Sequence, residues 1–249
     1  MNIIGKSPEQ RMSAYWQPTR TGDAPPAQDV DRALVTGLPD GAINIGYEAV
    51  DRHVAQGHGD QTALIWLSRE GDRKTLSYRD LAALSARFAN VLCDHGQTRG
   101  ARVFVAMGRR PELFAAALGT LKAGMVFTPL FAAFGPEPLK TRMEIGEAAV
   151  LVTTSALYRR KIAAWRHEIP SLKLVLILGD DAPEGCVALG PALQGAAPDF
   201  PVVHTQPEDP ALIHFTSGTT GRPKGAVHVH GAVQYHAMSG RCALELQPG

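Results

Sequence analysis

The feature of this sequence that most restricts its fold is a series of short, strongly apolar segments separated by helical ones. Residues 102–107, 125–130, 149–153 and 172–178 are of this kind, and none carries more than one charged residue. Strands without an alternating polar face are buried on both sides, which is typical of a parallel sheet covered by helices. Because such crossovers are right-handed, the sequence predicts an α/β fold, a doubly wound, mostly parallel sheet with helices on both faces.

The segments around these strands carry the start and stop signals of helices. Ser77 can cap a helix, Asp80 completes a capping box three residues on, and Gly96 supplies the stop. Pro111 and Gly124 bracket a second helix in the same manner. Further predicted elements are a helix beginning at Tyr47, a strand over Thr62 to Leu67, and helices over 136–145 and 156–167.

Composition and charge narrow the class of protein. With 249 residues, 45% of them hydrophobic and 20% charged, the chain is long enough for a globular domain with a sizeable core. The net charge of +1 argues against nucleic-acid binding through bulk electrostatics. The most apolar stretch, Leu113 to Phe134, is interrupted by Lys122, Gly124 and Pro129, which predicts a buried helix and strand instead of a membrane span.

Targeting and redox signals agree on one compartment. The amino terminus has no apolar core of signal-peptide length. The three cysteines, Cys93, Cys186 and Cys242, are odd in number, far apart and without metal-ligand spacing. We therefore expect a cytoplasmic protein without a membrane or nucleic-acid partner.

Two regions are poor in regular pattern. Residues 1–40 contain Pro25-Pro26 and Pro39, and are interpreted as an extended arm on a larger body formed by residues 41–249. Residues 179–210 are rich in Gly, Pro, Ala and Asp, which predicts an irregular connection.

The densest group of candidate ligand-binding residues is TSGTTGRPKG at 216–225, directly after a predicted strand at 211–215. Its glycines permit a tight turn, in which successive N–H groups can form an anion-binding concavity. The hydroxyl groups add donors, and the lysine adds a mobile positive charge. The residues expected to hold a polyphosphate are Thr216, Ser217, Gly218, Thr219, Thr220, Gly221 and Lys224.

Three other interpretations of this loop are weaker. A P-loop requires the pattern G-x-x-x-x-G-K-S/T, whereas Lys224 lies between Pro223 and Gly225. A hydrolase nucleophile at Ser217 would require a G-x-S-x-G elbow, which does not surround it. A flexible surface turn with an incidental lysine is the plainest alternative, and the position after a buried strand favours a binding loop.

The order T-S-G-T-T-G-x-P-K-G resembles the phosphate-binding signature of the adenylate-forming enzymes, which include acyl-CoA synthetases, luciferases and nonribosomal adenylation domains. The resemblance covers residues 40–249 and is closest to synthetases that use acetate or propionate. The segments similar to acetyl-CoA synthetases are INIGYEAVDRHV (43–54), TLSYRDL (75–81), RRPELFAAALGTLKAG (109–124), PLFAAFGPEPL (129–139), EDPALIHFTSG (208–218) and GAVHVH (225–230).

The resemblance implies a two-step ligase reaction. A short-chain carboxylate attacks the α-phosphorus of ATP, giving an acyl-adenylate and pyrophosphate, and the thiol of coenzyme A then displaces AMP. The loop would grip the β- and γ-phosphates, and Mg²⁺ would bridge the same oxygens. Since charge develops on the departing pyrophosphate, the task of the protein is positioning and neutralisation. The glycines also permit the loop to move, as it does in the family.

Other basic and imidazole side chains have two interpretations each. The resemblance places Arg159 where acetyl-CoA synthetases carry an arginine on a CoA phosphate, with Arg160 and Lys161 beside it, whereas the alternative is a solvated helix start. For Arg109-Arg110 a solvated surface is the favoured interpretation. His214, His228, His230 and His236 could suggest zinc, yet no carboxylate or cysteine lies at ligand spacing, so a structural or site-wall role is favoured and no metal site is predicted.

The resemblance also implies what lies outside these residues. Full family members are more than twice as long, and the acyl pocket, the adenine and ribose contacts and the small carboxyl-terminal domain with its lysine have no counterpart here. We therefore expect a truncated part of the large amino-terminal domain, inactive alone and with an uncovered sheet edge. The alternatives are a non-catalytic nucleotide- or CoA-binding module, and half of a split enzyme that needs a partner chain. The carboxylate and the oligomeric state stay open.

Overall fold

A computed structural model describes residues 35–179, 181–217, 221–242 and 244 of the chain. Its strands are β1 (Thr62–Leu67), β2 (Arg73–Ser77), β3 (Arg102–Ala106), β4 (Val126–Leu130), β5 (Val150–Thr154), β6 (Leu174–Leu178), β7 (Val187–Ala188), β8 (Pro210–Thr216) and β9 (Lys224–Val229). Its α-helices are α1 (Tyr78–Asp94), α2 (Pro111–Lys122), α3 (Pro136–Ile145), α4 (Ser155–Lys161), α5 (Leu189–Gly195) and α6 (Ala232–Cys242).

The larger sheet has the predicted α/β architecture. Seven strands lie in the order β7-β6-β5-β3-β4-β8-β9, and every neighbouring pair is parallel except β8 and β9. β1 and β2 form a separate antiparallel hairpin. The apolar stretch 113–134 divides into α2 and β4, as predicted, and no helix among the described residues is long and apolar enough to cross a lipid bilayer.

Two hydrophobic cores lie on opposite faces of this sheet. α1, α2 and α5 pack on one face, and α3 and α4 pack on the other, so the helices that follow β3 and β4 leave toward different sides. Buried members of the first core include Phe88, Leu92, Val103, Leu121 and Leu189. Those of the second include Phe104, Leu139, Met143, Leu157 and Ile177. The doubly wound prediction is therefore confirmed.

The helix ends follow the local signals in the sequence. Ser77 and Asp80 form the predicted capping box at the start of α1, with reciprocal side-chain to backbone hydrogen bonds. At its end Gly96 has a φ of 75°, and the N–H groups of Gly96 and Gln97 bond to Cys93 and Leu92. This Schellman arrangement requires a left-handed residue, which glycine adopts without a Cβ clash.

A short helical region precedes the hairpin and includes two π-helical segments, Tyr47–Asp51 and Val54–His58. Asn44 caps its start, because its Oδ1 accepts from the N–H groups of Gly46 (2.9 Å) and Tyr47 (3.4 Å). The amide of Asn44 donates to the carbonyls of Leu121 (2.8 Å) and Val203 (3.1 Å). One buried side chain thus joins this region to α2 and to the segment before β8.

A second polar contact fixes the same region on α2. The Lys122 side chain is only 1% exposed, and its ammonium donates to Asp51 Oδ1 (2.9 Å) and to the Ala82 carbonyl (3.2 Å). Burial lowers the pKa of Lys122, and burial raises the pKa of Asp51 more than the neighbouring ammonium lowers it. The pair is therefore held together by its hydrogen bonds against a large desolvation penalty.

Two sequence predictions about residues 156–210 are wrong. The predicted helix 156–167 stops at Lys161, where the Trp165 indole N–H donates to the Lys161 carbonyl (2.6 Å) and a 3₁₀ turn, Arg166–Glu168, follows. The predicted irregular connection 179–210 contains β7 and α5. Strand β2 was not predicted either.

Two predictions concern the ends of the domain: an extended arm over residues 1–40 and an uncovered edge of the sheet. Residues 1–34 of the predicted arm lie outside the described residues, whereas Val35 is buried and the N–H groups of Thr36 and Gly37 donate to the buried Glu48 carboxylate. At the other end, β9 is the outermost described strand of its side of the sheet and leaves Val227 57% exposed.

Candidate functional site

The loop at 216–225 follows β8 at the carboxyl edge of the parallel strands. Because β3, β4, β5 and β8 run in the same direction, their carboxyl ends meet at this edge. Helices leave β3 and β4 toward opposite faces, which opens a crevice outside the strand ends, the usual place for a ligand in such sheets. β4 lies beside β8, and the segment after β4 reaches the described ends of the loop, since Phe134 lines one cleft with Ser217 and Gly221.

The two flanks of the loop are brought together by strand pairing. Thr216, the last residue of β8, lies directly opposite Lys224, the first residue of β9. The Thr216 hydroxyl donates to the Lys224 carbonyl at 3.5 Å. Residues opposite one another in an antiparallel pair project their side chains to the same face. Both residues are exposed, so the ammonium and the hydroxyl are accessible to a ligand.

The other residues that the motif predicts to bind phosphate are Ser217 to Gly221. Ser217 is exposed, and Gly221 has a φ of 83°, a left-handed conformation that favours glycine. Gly218, Thr219 and Thr220 lie outside the described residues, so their part in the phosphate site stays a prediction.

A cleft of about 610 Å³ separates these flanks from α3. The described residues that line it belong to the segment before α3, to one side of α3 and to the loop. They are Phe134, Glu137, Pro138, Thr141, Arg142, Glu144, Ser217, Gly221, Arg222 and Pro223. Phe134 forms an apolar wall, and the Arg142 guanidinium lies over its ring at 4.3 Å from the centroid.

The charges around the cleft nearly balance. Glu137 and Glu144 contribute two carboxylates, and Arg142 and Arg222 contribute two guanidinium groups. Lys224 adds a further positive charge at the adjoining strand. A polyphosphate bound here would meet donors and cations on the loop side, while a divalent cation on its oxygens would offset repulsion from the two glutamates.

The three basic residues at the end of α4 differ in exposure and in hydrogen bonding. Arg159 and Arg160 are exposed, and Arg159 lies 3.9 Å from the exposed carboxylate of Asp181. Lys161 instead directs its ammonium to the carbonyls of Ala132 (2.9 Å) and Phe134 (2.6 Å). Of the predicted cluster, the two arginines therefore present exposed guanidinium groups at the surface of α4, and that of Arg159 lies within ion-pair distance of Asp181.

His230 is fully buried just after β9. Its Nδ1 accepts from the N–H of Ile45 (3.1 Å), the first residue after the Asn44 cap, so its Nε2 carries the proton. Burial lowers the pKa of His230 to about 4; the Asp209 carboxylate opposes this effect and the Arg99 guanidinium adds to it. A neutral imidazole thus completes the first turn of the amino-terminal helical region.

The other three histidines that were considered as zinc ligands are not buried with His230. His214 and His236 are exposed and His228 is half-buried on β9. Within the described parts of the chain, no group of three or more His, Cys, Asp or Glu side chains is arranged to hold a metal ion.

Two sets of tertiary contacts were not visible in the sequence, one beside the cleft and one at the amino-terminal helical region. The bonds from Lys161 to residues 132 and 134 and the bond between Ile45 and His230 join distant parts of the chain. Their local signals were faint: a lysine at the end of a short helix, and a histidine directly after a strand.

Comparison with known proteins places these observations in a family. The model of the family described as AMP-binding enzyme matches residues 51–247. The acetyl-coenzyme A synthetase of Bacillus subtilis is 34% identical over 210 residues, which are 83% of this chain and 36% of that protein. The acetyl-coenzyme A synthetase of Sodalis glossinidius is 36% identical over 242 residues, 89% of this chain and 36% of that protein.

Solved structures give the same fold. An acyl-CoA synthetase from Brucella canis is 31% identical with a TM-score of 0.79, covering 88% of this chain and 39% of that chain. An anthranilate CoA ligase in complex with anthranoyl-AMP is 20% identical with a TM-score of 0.70, over 83% and 36% of the two chains, which supports the fold alone. The chain spans about a third of the length of the curated relatives it matches.

Proposed function

Because the chain belongs to the family of AMP-binding enzymes, we propose that it is the amino-terminal part of an AMP-forming acyl-CoA synthetase. The reaction of the whole enzyme converts acetate or another short-chain carboxylate, ATP and coenzyme A to acyl-CoA, AMP and diphosphate through an acyl-adenylate. The relatives named acetyl-coenzyme A synthetase support a small acid as the substrate.

The observation that carries this proposal is the position of the loop. Its flanks converge at Thr216 and Lys224 on the carboxyl edge of the sheet, beside a cleft that Ser217, Gly221 and Arg222 line. The proposed role of residues 216–225 is to bind the β- and γ-phosphates of ATP. Lys224 neutralises charge on the departing diphosphate, and the hydroxyl and amide groups orient it for in-line displacement.

Mg²⁺ fits the described surroundings of the cleft as an ion held mainly by the phosphates. Glu137, Glu144 and Ser217 supply oxygen atoms, the donor type that Mg²⁺ prefers, but no protein cage of three ligands surrounds it among the described residues. When bound, the ion would neutralise phosphate charge. Lys224 and the loop donors would hold the same phosphates from the other side.

Coenzyme A is proposed to approach α4. Arg159 and Arg160 are exposed on the helix that follows β5, at the same edge of the sheet as the loop. β5 and β8 are separated by β3 and β4, which corresponds to about 14 Å at ordinary strand spacing. Two phosphorylated substrates can therefore bind along this edge without competing for the same cations.

The phosphate-binding role is tested by titration of MgATP, inorganic diphosphate and AMP into the chain. We expect Lys224→Ala to weaken binding of MgATP and diphosphate about tenfold or more, since a charge-assisted contact is lost. AMP, which lacks the β- and γ-phosphates, should be affected little. Isothermal titration calorimetry measures all three.

Lys173→Ala is the matched control, because it removes an exposed lysine that directly precedes β6 and does not line the cleft. It should leave all affinities unchanged. Equal affinity of the wild-type chain and the Lys224→Ala variant for MgATP would contradict the proposal.

A further inference from the structure

We propose that Lys161 is a positioning residue that fixes Phe134 as the wall of the nucleotide cleft. The inference rests on the proposed function of that cleft and adds a residue outside the loop motif. Lys161 itself does not line the cleft among the described residues, so it acts through the segment that it holds.

Lys161 is anchored at both of its ends. Its ammonium donates to the carbonyls of Ala132 (2.9 Å) and Phe134 (2.6 Å), two charge-assisted bonds that bridge from α4 to the segment after β4. Its own carbonyl accepts from the indole N–H of Trp165 (2.6 Å), a residue buried in the second core. The bridge therefore starts from a fixed point.

The segment that Lys161 holds is short and turns sharply. The N–H of Phe134 donates to the carbonyl of Phe131 (3.0 Å), and the two rings meet edge to face with centroids 5.6 Å apart. The Arg142 guanidinium covers the Phe134 ring, and its Nη1 donates to the Pro138 carbonyl (2.8 Å). Without the ammonium, the carbonyls of 132 and 134 would lose their shared donor and the turn could relax.

The position of Phe134 matters because it lines the same cleft as Ser217 and Gly221. An apolar wall there excludes water and strengthens the interaction of bound phosphates with the loop cations. Displacement of the ring would widen the cleft and weaken those interactions. Because Lys161 also ends the helix that carries Arg159 and Arg160, it joins the two proposed substrate regions.

The test measures MgATP affinity for four forms of the 249-residue chain: wild type, Lys161→Met, Phe134→Ala and the double variant. We expect each single variant to raise the Kd about tenfold. The double variant should also show about tenfold, because Lys161 acts through Phe134 and the two losses are not additive. Lys161→Arg should stay within about twofold of wild type, since a guanidinium can also donate to two carbonyls.

Lys173→Met is the control for removal of a lysine, and melting curves check that each variant is folded. If Lys161→Met does not fold, Lys161→Gln replaces it, because the amide can still donate to one carbonyl. If the wild-type chain binds MgATP and the Lys161→Met variant has the same Kd, the positioning role is overturned and the proposed function is not. Additive losses of affinity in the double variant would also overturn the positioning role alone. If the wild-type chain binds no MgATP, the proposed function fails and the positioning role fails with it.

Discussion

Single buried polar residues decide how the amino-terminal helical region is held. Asn44 satisfies two of its free N–H groups, and His230 satisfies a third from the other end of the described chain. These bonds satisfy buried or partly buried donors, so loss of one partner leaves its donor unpaired at a cost of up to about 1–3 kcal/mol. These residues therefore contribute to stability by completing a helix start.

The low pKa of His230 makes the stability of the fold sensitive to acid. The folded state holds the imidazole neutral down to about pH 4, whereas an unfolded chain protonates it near pH 6.5. As the pH falls through this window the unfolded state binds the proton first, so stability decreases. We expect a loss of about 2–3 kcal/mol at pH 4.5 relative to pH 7, measured by denaturant unfolding.

His230→Asn provides the comparison, because its Oδ1 can accept the Ile45 bond but does not titrate. This variant should lose less stability between pH 7 and 4.5 than the wild type, by the stated amount. His236→Asn, a change at an exposed histidine, should keep the wild-type pH dependence. Identical pH profiles for His230→Asn and wild type would contradict the assignment.

At the scale of elements, helix ends set by local chemistry were predictable and those set by distant partners were not. The box at Ser77 and Asp80, the proline of α2 and the glycine after α1 all act within a few residues, and the structure has them as predicted. α4 ends early because Trp165 bonds back to its last carbonyl. Trp165 is only four residues from Lys161, but its burial in the second core, which depends on residues elsewhere in the chain, holds the indole in place.

The same reasoning explains the missed helix α5. Its carbonyls near Leu193 and the following Ala197 accept from Arg87 and Asn90 of α1, more than a hundred residues earlier. The Gly- and Pro-rich composition that predicted an irregular connection is compatible with a helix once these donors are in place. In the candidate site, likewise, the loop was visible as a motif, whereas the Lys161 bridge depends on tertiary folding.

The end of α3 carries an unfavourable residue that can be improved. Glu147 occupies the left-handed position after this helix with a φ of 47°, and its N–H and that of Ala148 make Schellman bonds to Glu144 and Met143. Glu147→Gly should raise the free energy of unfolding by about 0.5–1 kcal/mol, because relief of the left-handed strain exceeds the added freedom of the unfolded chain. Thermal and urea unfolding measure the change.

Loss of the exposed ion pair with Arg102 has to be separated from this backbone effect. Glu147→Ala removes the same ion pair and keeps the strain, so it should be neutral or destabilising by less than about 1 kcal/mol. A glycine variant no more stable than the alanine variant would show that the conformation carries no strain.

At the scale of the whole molecule, the chain carries the loop proposed to bind phosphate and spans about a third of the relatives' length. We predict that the purified chain alone releases no AMP in a CoA-dependent manner from ATP and acetate, because groups on the rest of the enzyme are needed to position the carboxylate and the thiol. A coupled AMP assay with acetate, propionate and longer acids measures this. The same assay on the chain extended to full family length is the positive control, and turnover by the short chain would contradict the prediction.

The bond between Ile45 and His230 closes a loop of 185 residues, and Thr205 pairs with Ile43 across 162 residues. Contacts of such range raise contact order and slow the search for the native topology. During synthesis the first turn of the amino-terminal helical region leaves the ribosome long before its last partner has been translated. Until His230 has been synthesised, the N–H of Ile45 at the start of this helix remains bonded to water, and the two ends of the nascent domain cannot pack together.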